Sequence, residues 1–397
     1  MKFSNLSLQL EPSLTLEITA KAKTAKEMGK DVVSFSAGEP DFNTPDNIIE
    51  AAIKAMKNGF TKYTPASGIQ QLKEVICKKL SDDNKLNYNP SQVIVSTGAK
   101  QCLSNTFQAI LNPGDEVVIP VPYWVSYPEL VKLYGGVPVL VSTKIENEFK
   151  YELSELEKVV TQNTKAIIIN SPNNPAGVVY SYEDLKMIAE FAKKHDLIII
   201  SDEIYEKLIY DNEEHISIAS ISEDAYNRTV IINGLSKSYS MTGWRIGYAV
   251  GPEKLIKIMS SIQSHTTSNP TSVCQYAAIE AISGPQQTVN HMIEQFKLRR
   301  DYMVKKINAI KGISCIKPKG AFYVMVNIKD IKNKKIGDQT IENSIELAKL
   351  LLEKHLLAVV PGAAFGDDNY IRLSYATSME NIEKGLTRLE EFVSNLE

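Results

Sequence analysis

Short apolar runs rich in β-branched residues recur through the middle of the chain, at 93–95, 116–119, 137–141, 166–169, 197–200, 230–232 and 246–250. A strand with one wet face alternates apolar and polar positions, so runs that are apolar throughout read as central strands covered by helices on both sides. Amphipathic stretches separate them, as at 181–194, where Leu185, Ile188, Ala189 and Ala192 share one face at helical spacing. The alternation predicts an α/β architecture around a mostly parallel central sheet flanked by helices. From 252 to 312 no such run occurs and the pattern is helical, notably at 286–311. A shorter unit follows, with strands expected at 321–326 and 370–374 and helices at 341–355 and 379–395. It reads as a second, smaller α+β domain, and no repeat or Ser/Gly-rich linker sets it apart.

Composition narrows the class. Across 397 residues, 43% hydrophobic and 23% charged are ordinary values for a globular protein. With 44 Lys+Arg against 47 Asp+Glu the net charge is -3, which offers no drive toward nucleic acid or anionic lipid. Cys77, Cys102, Cys274 and Cys315 form no CxxC pair and read as reduced, mostly buried thiols. His195, His215, His265, His291 and His355 show no ligand-like pairing, so no metal site is expected. No run approaches the ~18 apolar residues of a membrane span, and the first residues lack the apolar core of a signal peptide. A cytoplasmic protein is expected.

Ligands of an open α/β sheet bind beyond the carboxyl ends of its strands. Ser201-Asp202-Glu203-Ile204-Tyr205 follows the run at 197–200, and Asn170-Ser171-Pro172-Asn173-Asn174-Pro175 follows that at 166–169. Ser236-Lys237-Ser238 comes shortly after 230–232. Singly, these have plain readings: an N-cap, a turn and a solvated charge. Together they deliver an acid, an amide and a lysine toward one edge of the sheet.

The lysine segment runs Gly234-Leu235-Ser236-Lys237-Ser238-Tyr239-Ser240-Met241-Thr242-Gly243-Trp244-Arg245-Ile246-Gly247. It resembles the cofactor-attachment pattern of the class I/II aminotransferases, the fold type I pyridoxal-phosphate enzymes, with eight positions from Lys237 to Arg245. Gly38-Glu39-Pro40, Lys62-Tyr63-Thr64-Pro65, Gly98-Ala99-Lys100-Gln101, Pro122-Tyr123-Trp124 and Ile371-Arg372-Leu373 are similar to further landmarks in the family's order. Met241-Thr242-Gly243-Trp244-Arg245 most resembles the bacterial-type aspartate aminotransferases. The resemblance implies an N-terminal arm and first part of a small domain over 1–44, a large cofactor-binding domain over 45–290, and the rest of the small domain over 291–397.

It also implies pyridoxal 5′-phosphate, held by Lys237 as a Schiff base. The same amine moves protons, a task suited to a lysine whose pKa is lowered by burial or neighbouring cations. Asp202 is the implied carboxylate for the ring nitrogen, Asn174 and Tyr205 the donors to the ring oxygen, and Trp124 the stacking aromatic. Gly98, Ala99 and Lys100 are expected to turn main-chain N–H groups on the phosphate at a helix start. Arg245 adds a charge-assisted contact, with Ser236 beside it. Tyr63 resembles a tyrosine contributed by a neighbouring subunit, and Ser268-Asn269-Pro270 resembles part of that interface, which implies a homodimer with shared active sites.

Arg372 resembles the arginine that grips a substrate α-carboxylate, for which its planar fork is matched, with Gly38, Trp124 and Asn174 beside it. The partners implied are amino acids and 2-oxo acids. Animal-type aspartate enzymes place an arginine four residues before the Ser-Asn-Pro turn, where this chain has Ser264. The bacterial-type subgroup uses a lysine and a threonine instead, here Lys100 and Thr15. The expected reaction is amino transfer between L-aspartate and 2-oxoglutarate. An aromatic, alanine or prephenate aminotransferase, or a Cys-S lyase, would keep the same central residues. Leu6 stands where many subgroup members have an arginine, which weighs against prephenate. A non-catalytic pyridoxal-binding regulator is disfavoured because Gly38-Glu39-Pro40 comes too early to follow a DNA-binding module.

Overall fold

The computed structural model describes residues 1–397. Seven strands form one sheet: β1 (Val93–Ser96), β2 (Glu116–Val121), β3 (Val137–Ser142), β4 (Thr164–Asn170), β5 (Ile198–Asp202), β6 (Thr229–Gly234) and β7 (Gly247–Val250). Their order is β1-β7-β6-β5-β4-β2-β3. Pairs among β2 to β6 are parallel, and β7 is antiparallel to both its neighbours. The reversal arises because the chain leaves β6 at its carboxyl end, turns through the lysine segment and re-enters the sheet from the same edge.

Each apolar run is a strand, and the period of two divides its side chains between two cores. Ile168, Ile200 and Ile232 pack with Cys102, Leu103 and Phe107 on one face, while Ile167, Ile169 and Ile199 pack with Leu185, Ile188 and Phe191 on the other. The helix Tyr182–Lys194 opens with Ser181 and Asp184 capping each other and buries all four residues read as its apolar face. One run departs from expectation. β3 lies at the sheet edge, paired with β2 alone, and has Val137 and Leu140 exposed and only Val141 buried.

A second sheet, β9-β10-β8, is antiparallel and consists of β8 (Tyr323–Asn327), β9 (Val360–Pro361) and β10 (Tyr370–Ser374). The helices Ser344–His355 and Met379–Ser394 pack on it. The start of the chain joins this unit, since Val33–Ser34 pairs in parallel with Leu357–Ala358. The helix Gln287–Ile307 is continuous across the boundary expected at 290/291. Its Val289 belongs to a core against the large sheet, whereas Met292, Phe296, Met303 and Ile307 belong to the small-sheet core. All four cysteines are free, and no helix is long and apolar enough to cross a membrane.

Candidate active site

The carboxyl ends of the parallel strands open into a cavity of about 440 Å³. Asp202 is the last residue of β5, Asn174 sits in the turn after β4, Trp124 follows β2, Ala99 and Lys100 follow β1, and Ser236 and Lys237 follow β6. Arg372 reaches in from β10, and Gly38 and Thr15 from the N-terminal segments. With Tyr205 and Arg245, these residues, scattered from 15 to 372, line one space.

Lys237 Nζ donates to the Gly38 carbonyl and lies 6.0 Å from the Phe322 ring centroid. Burial lowers its pKa to about 8; Arg372 and Arg245 push the same way against Glu39 and Asp202. Asp202 is buried and accepts hydrogen bonds from the Tyr127 hydroxyl at 2.7 Å and the Ile204 N–H at 3.3 Å. Burial nevertheless pushes its carboxyl up to about 6. No cation pairs with it in the protein, so a positive group placed beside it would restore the ionised form.

Arg372 is the converse case. It is buried, donates from Nη1 to Asn174 Oδ1 at 3.0 Å and from Nη2 to the Ser36 carbonyl at 2.9 Å, and leaves Nε without a partner. The guanidinium lies 4.4 Å from the Tyr323 ring centroid and 5.0 Å from that of Phe365. No carboxylate of the chain approaches it. A buried cation so placed is costly until an anion enters.

A second anion cradle lies at the start of the helix Ala99–Ile110, whose first turn holds no acidic residue. Of the three N–H groups expected there, that of Gly98 is already given to the Ser96 carbonyl at 2.8 Å, leaving those of Ala99 and Lys100 without acceptors. Gly98 acts through space instead: its φ is +84°, and a Cβ on it would lie 2.5 Å from the Arg245 guanidinium. Arg245 donates to the Thr242 carbonyl at 2.8 Å and has no carboxylate partner. Gly247 is required by close approach, because a Cβ there would strike the backbone of Gly98 and Ala99. Lys100 Nζ sits 5.0 Å from the Trp124 ring centroid, its pKa lowered by burial and then by Arg245. Thr15 shares a 2.9 Å hydrogen bond with Ser13.

Three residues absent from the sequence reading belong to the site. Tyr127 bonds Asp202, Tyr323 bonds Tyr205 at 3.0 Å, and Ser36 bonds Arg372 through its carbonyl. Tyr127 carries the one signal that could have been used, three positions beyond Trp124 on a helical start. Tyr63 does not line the cavity and is 91% exposed. Its segment is tied to the Ser268-Asn269-Pro270 turn, as Ser272 Oγ donates to the Lys62 carbonyl and Gln275 Nε2 to both Thr64 and the Pro270 carbonyl. The fold also brings ligand atoms of Glu203, Glu206 and His215 within 4.8 Å of one another, a grouping invisible in the sequence. Lys79 already pairs with Glu206 there, and His215 Nε2 lies 3.0 Å from Glu203.

Comparisons with known proteins identify the family and the fold. The profile of aminotransferase class I and II matches residues 30–389. The chain is 50% identical over 393 residues to the aspartate aminotransferase of Bacillus subtilis, covering 99% of each. It is 47% identical over 389 residues to an Aquifex aeolicus protein named "Probable aspartate/prephenate aminotransferase", covering 98% of this chain and 97% of that one. The crystal structure of the aspartate aminotransferase from Rhizobium meliloti superposes with a TM-score of 0.97 at 39% identity, over 100% of both chains.

Proposed function

The chain belongs to the class I and II aminotransferases, and from that premise we propose that it moves an amino group reversibly between L-aspartate and 2-oxoglutarate with pyridoxal 5′-phosphate as cofactor. One observation carries the reading. A lysine of depressed pKa, a buried carboxyl without a cation and a buried guanidinium without an anion meet in one cavity. Each is unfavourable alone and is relieved by one part of the cofactor and substrate pair.

The residues fit the cofactor part by part. Lys237 would hold its aldehyde, Asp202 would serve its ring nitrogen, Asn174 and Tyr205 its ring oxygen, and Trp124 its ring. The N–H groups of Ala99 and Lys100, with Ser236 and Arg245, would hold the phosphate. When bound, pyridoxal phosphate supplies an aldehyde that captures the amino group and a ring that accepts the electron pair left by the departing α-proton.

Lys237, with a pKa lowered to about 8, has a substantial neutral fraction near physiological pH that an ordinary lysine lacks, and acts as the base that removes the α-proton and the acid that returns it. Asp202 would be ionised by a cationic ring nitrogen placed beside it and would keep the proton on that nitrogen. Arg372 fixes the α-carboxylate. Two of its five N–H groups are committed to Asn174 and Ser36, which leaves three for substrate. Lys100 and Thr15 read the distal carboxylate. Tyr63 of a second copy completes the phosphate site, so the working form is a homodimer, here placed in the cytoplasm. We divide it as 1–44, 45–290 and 291–397.

The test is a spectral titration. Cofactor-loaded protein is mixed separately with L-aspartate, L-tyrosine, L-alanine and L-cystathionine, and loss of the visible cofactor band is timed. Aspartate should react fastest; a faster reaction with tyrosine would sink the aspartate assignment. The name of the Aquifex aeolicus relative favours prephenate as a second amino acceptor, whereas Leu6 supplies no cation in the N-terminal arm for its extra carboxylate.

A further inference from the structure

Tyr323 sits between the two halves of the site. It opens β8, where it pairs with Ser374, so Arg372, two residues earlier on β10, is its diagonal neighbour on the same face. Its ring lies under the Arg372 guanidinium at 4.4 Å, and its hydroxyl reaches the Tyr205 hydroxyl at 3.0 Å. Both tyrosines are buried. A Cβ on Gly38 would lie 3.6 Å from the Tyr323 hydroxyl oxygen, so this oxygen also borders the segment that carries the Lys237 contact.

We propose that Tyr323 is a positioning residue with two separable tasks: its ring seats the carboxylate-binding Arg372, and its hydroxyl donates into Tyr205 so that Tyr205 turns its own proton toward the cofactor. The proposal rests on the cofactor reading above. Each phenol has one proton. With an anionic oxygen in the cavity, the favoured order is Tyr323 O–H to Tyr205 oxygen and Tyr205 O–H to the anion. No bond other than these hydrogen bonds changes, and both hydroxyls adjust by rotation alone. A donor that is itself hydrogen-bonded donates more strongly, by roughly 10–30% per bond. The charged groups facing the tyrosine pair are Arg372, Asp202 and Glu39, and all three remain in the variants below.

The experiment uses pyridoxal phosphate-loaded protein and titrates its visible band with pH. Tyr323→Phe keeps the ring and removes the hydroxyl. Its band should titrate about half a pH unit higher than wild type, since the anionic ring oxygen loses part of its stabilisation. Half-saturation by succinate, a non-reacting dicarboxylate, should stay within about twofold. Tyr323→Leu removes both groups and should raise that half-saturation by roughly 3- to 10-fold through loss of the cation–π contact. In a Tyr205→Phe background, Tyr323→Phe should move the titration no further. A merely structural role would lower thermal stability while leaving the titration in place. An unchanged or lowered midpoint in Tyr323→Phe overturns the proposal alone, whereas wild-type protein that acquires no visible band overturns the cofactor reading as well.

Discussion

Replacing Arg372 with lysine keeps the positive charge and removes the fork, which makes it the sharpest probe of how substrate is held. In the structure the guanidinium is a bridge: Nη1 to Asn174, Nη2 to the Ser36 carbonyl, rings of Tyr323 and Phe365 against its faces, and Nε unspent. An ammonium cannot satisfy both fixed acceptors and still present two parallel donors to a carboxylate. Losing one charge-assisted hydrogen bond costs about 1.5–3 kcal/mol. The weakened ring contact adds about 0.5–2 kcal/mol. At 1.4 kcal/mol per factor of ten, the sum of about 2–5 kcal/mol lowers kcat/KM for aspartate by roughly thirty-fold to a few thousand-fold. The assay is single-turnover loss of the cofactor band over a range of aspartate concentrations, with the unreacted band measured beforehand. That band should remain visible, because on the proposed reading Arg372 reaches the cofactor only through Asn174 and a lysine keeps the charge that acts on Lys237. A fall in kcat/KM of less than about fivefold would refute the assignment of Arg372 to the α-carboxylate.

Three further outcomes follow from the same geometry. Asp202 in the cofactor-free protein has its carboxyl raised from 3.8 to about 6. A carboxyl raised on folding destabilises the native state as pH climbs through that interval, by ~3 kcal/mol in all. Urea denaturation of Asp202→Asn should therefore show a stability advantage over wild type that is larger at pH 8 than at pH 4 by about that amount, and an advantage independent of pH would contradict it. Lys237, lowered to about 8 by burial, should react with an amine-specific reagent in the cofactor-free protein with a midpoint near pH 8, read by peptide mapping; a midpoint above 10 would show a solvated amine. Lys100→Ala should slow aspartate by roughly 10- to 100-fold while sparing alanine, as expected for one charged contact. Equal losses for the two would move Lys100 to the phosphate.

What could be read in the sequence was whatever burial writes locally. The runs that became β4 and β5 are covered on both faces, and their uninterrupted isoleucines announce it. The segment from Gly234 to Gly247 is legible because lysine, arginine and two tight glycines each meet a separate local demand. The edge position of β3 was not legible, since an exposed Leu140 is written with the same letter as a buried one. The pairing of Val33–Ser34 with Leu357–Ala358 is too short to leave a period. Tyr127, Tyr323 and Ser36 escaped for a related reason. Their partners lie 75, 118 and 336 positions away, so the contacts that define their work exist only after the chain has folded.

The bond between Ser36 and Arg372 also has a consequence for biosynthesis. The ribosome must add 336 more residues after Ser36 before its partner exists, which at ~5–20 residues per second takes roughly 20–70 s. Throughout that time Val33 and Phe35, fully covered in the finished protein, have no small sheet to pack against. The lysine, the acid and the helix start all lie within the first 250 residues, while Arg372, the proposed grip on substrate, lies within the last thirty. A nascent chain of this protein is therefore an incomplete binding site with a sticky leading end, and that end is where a holding chaperone would have to act.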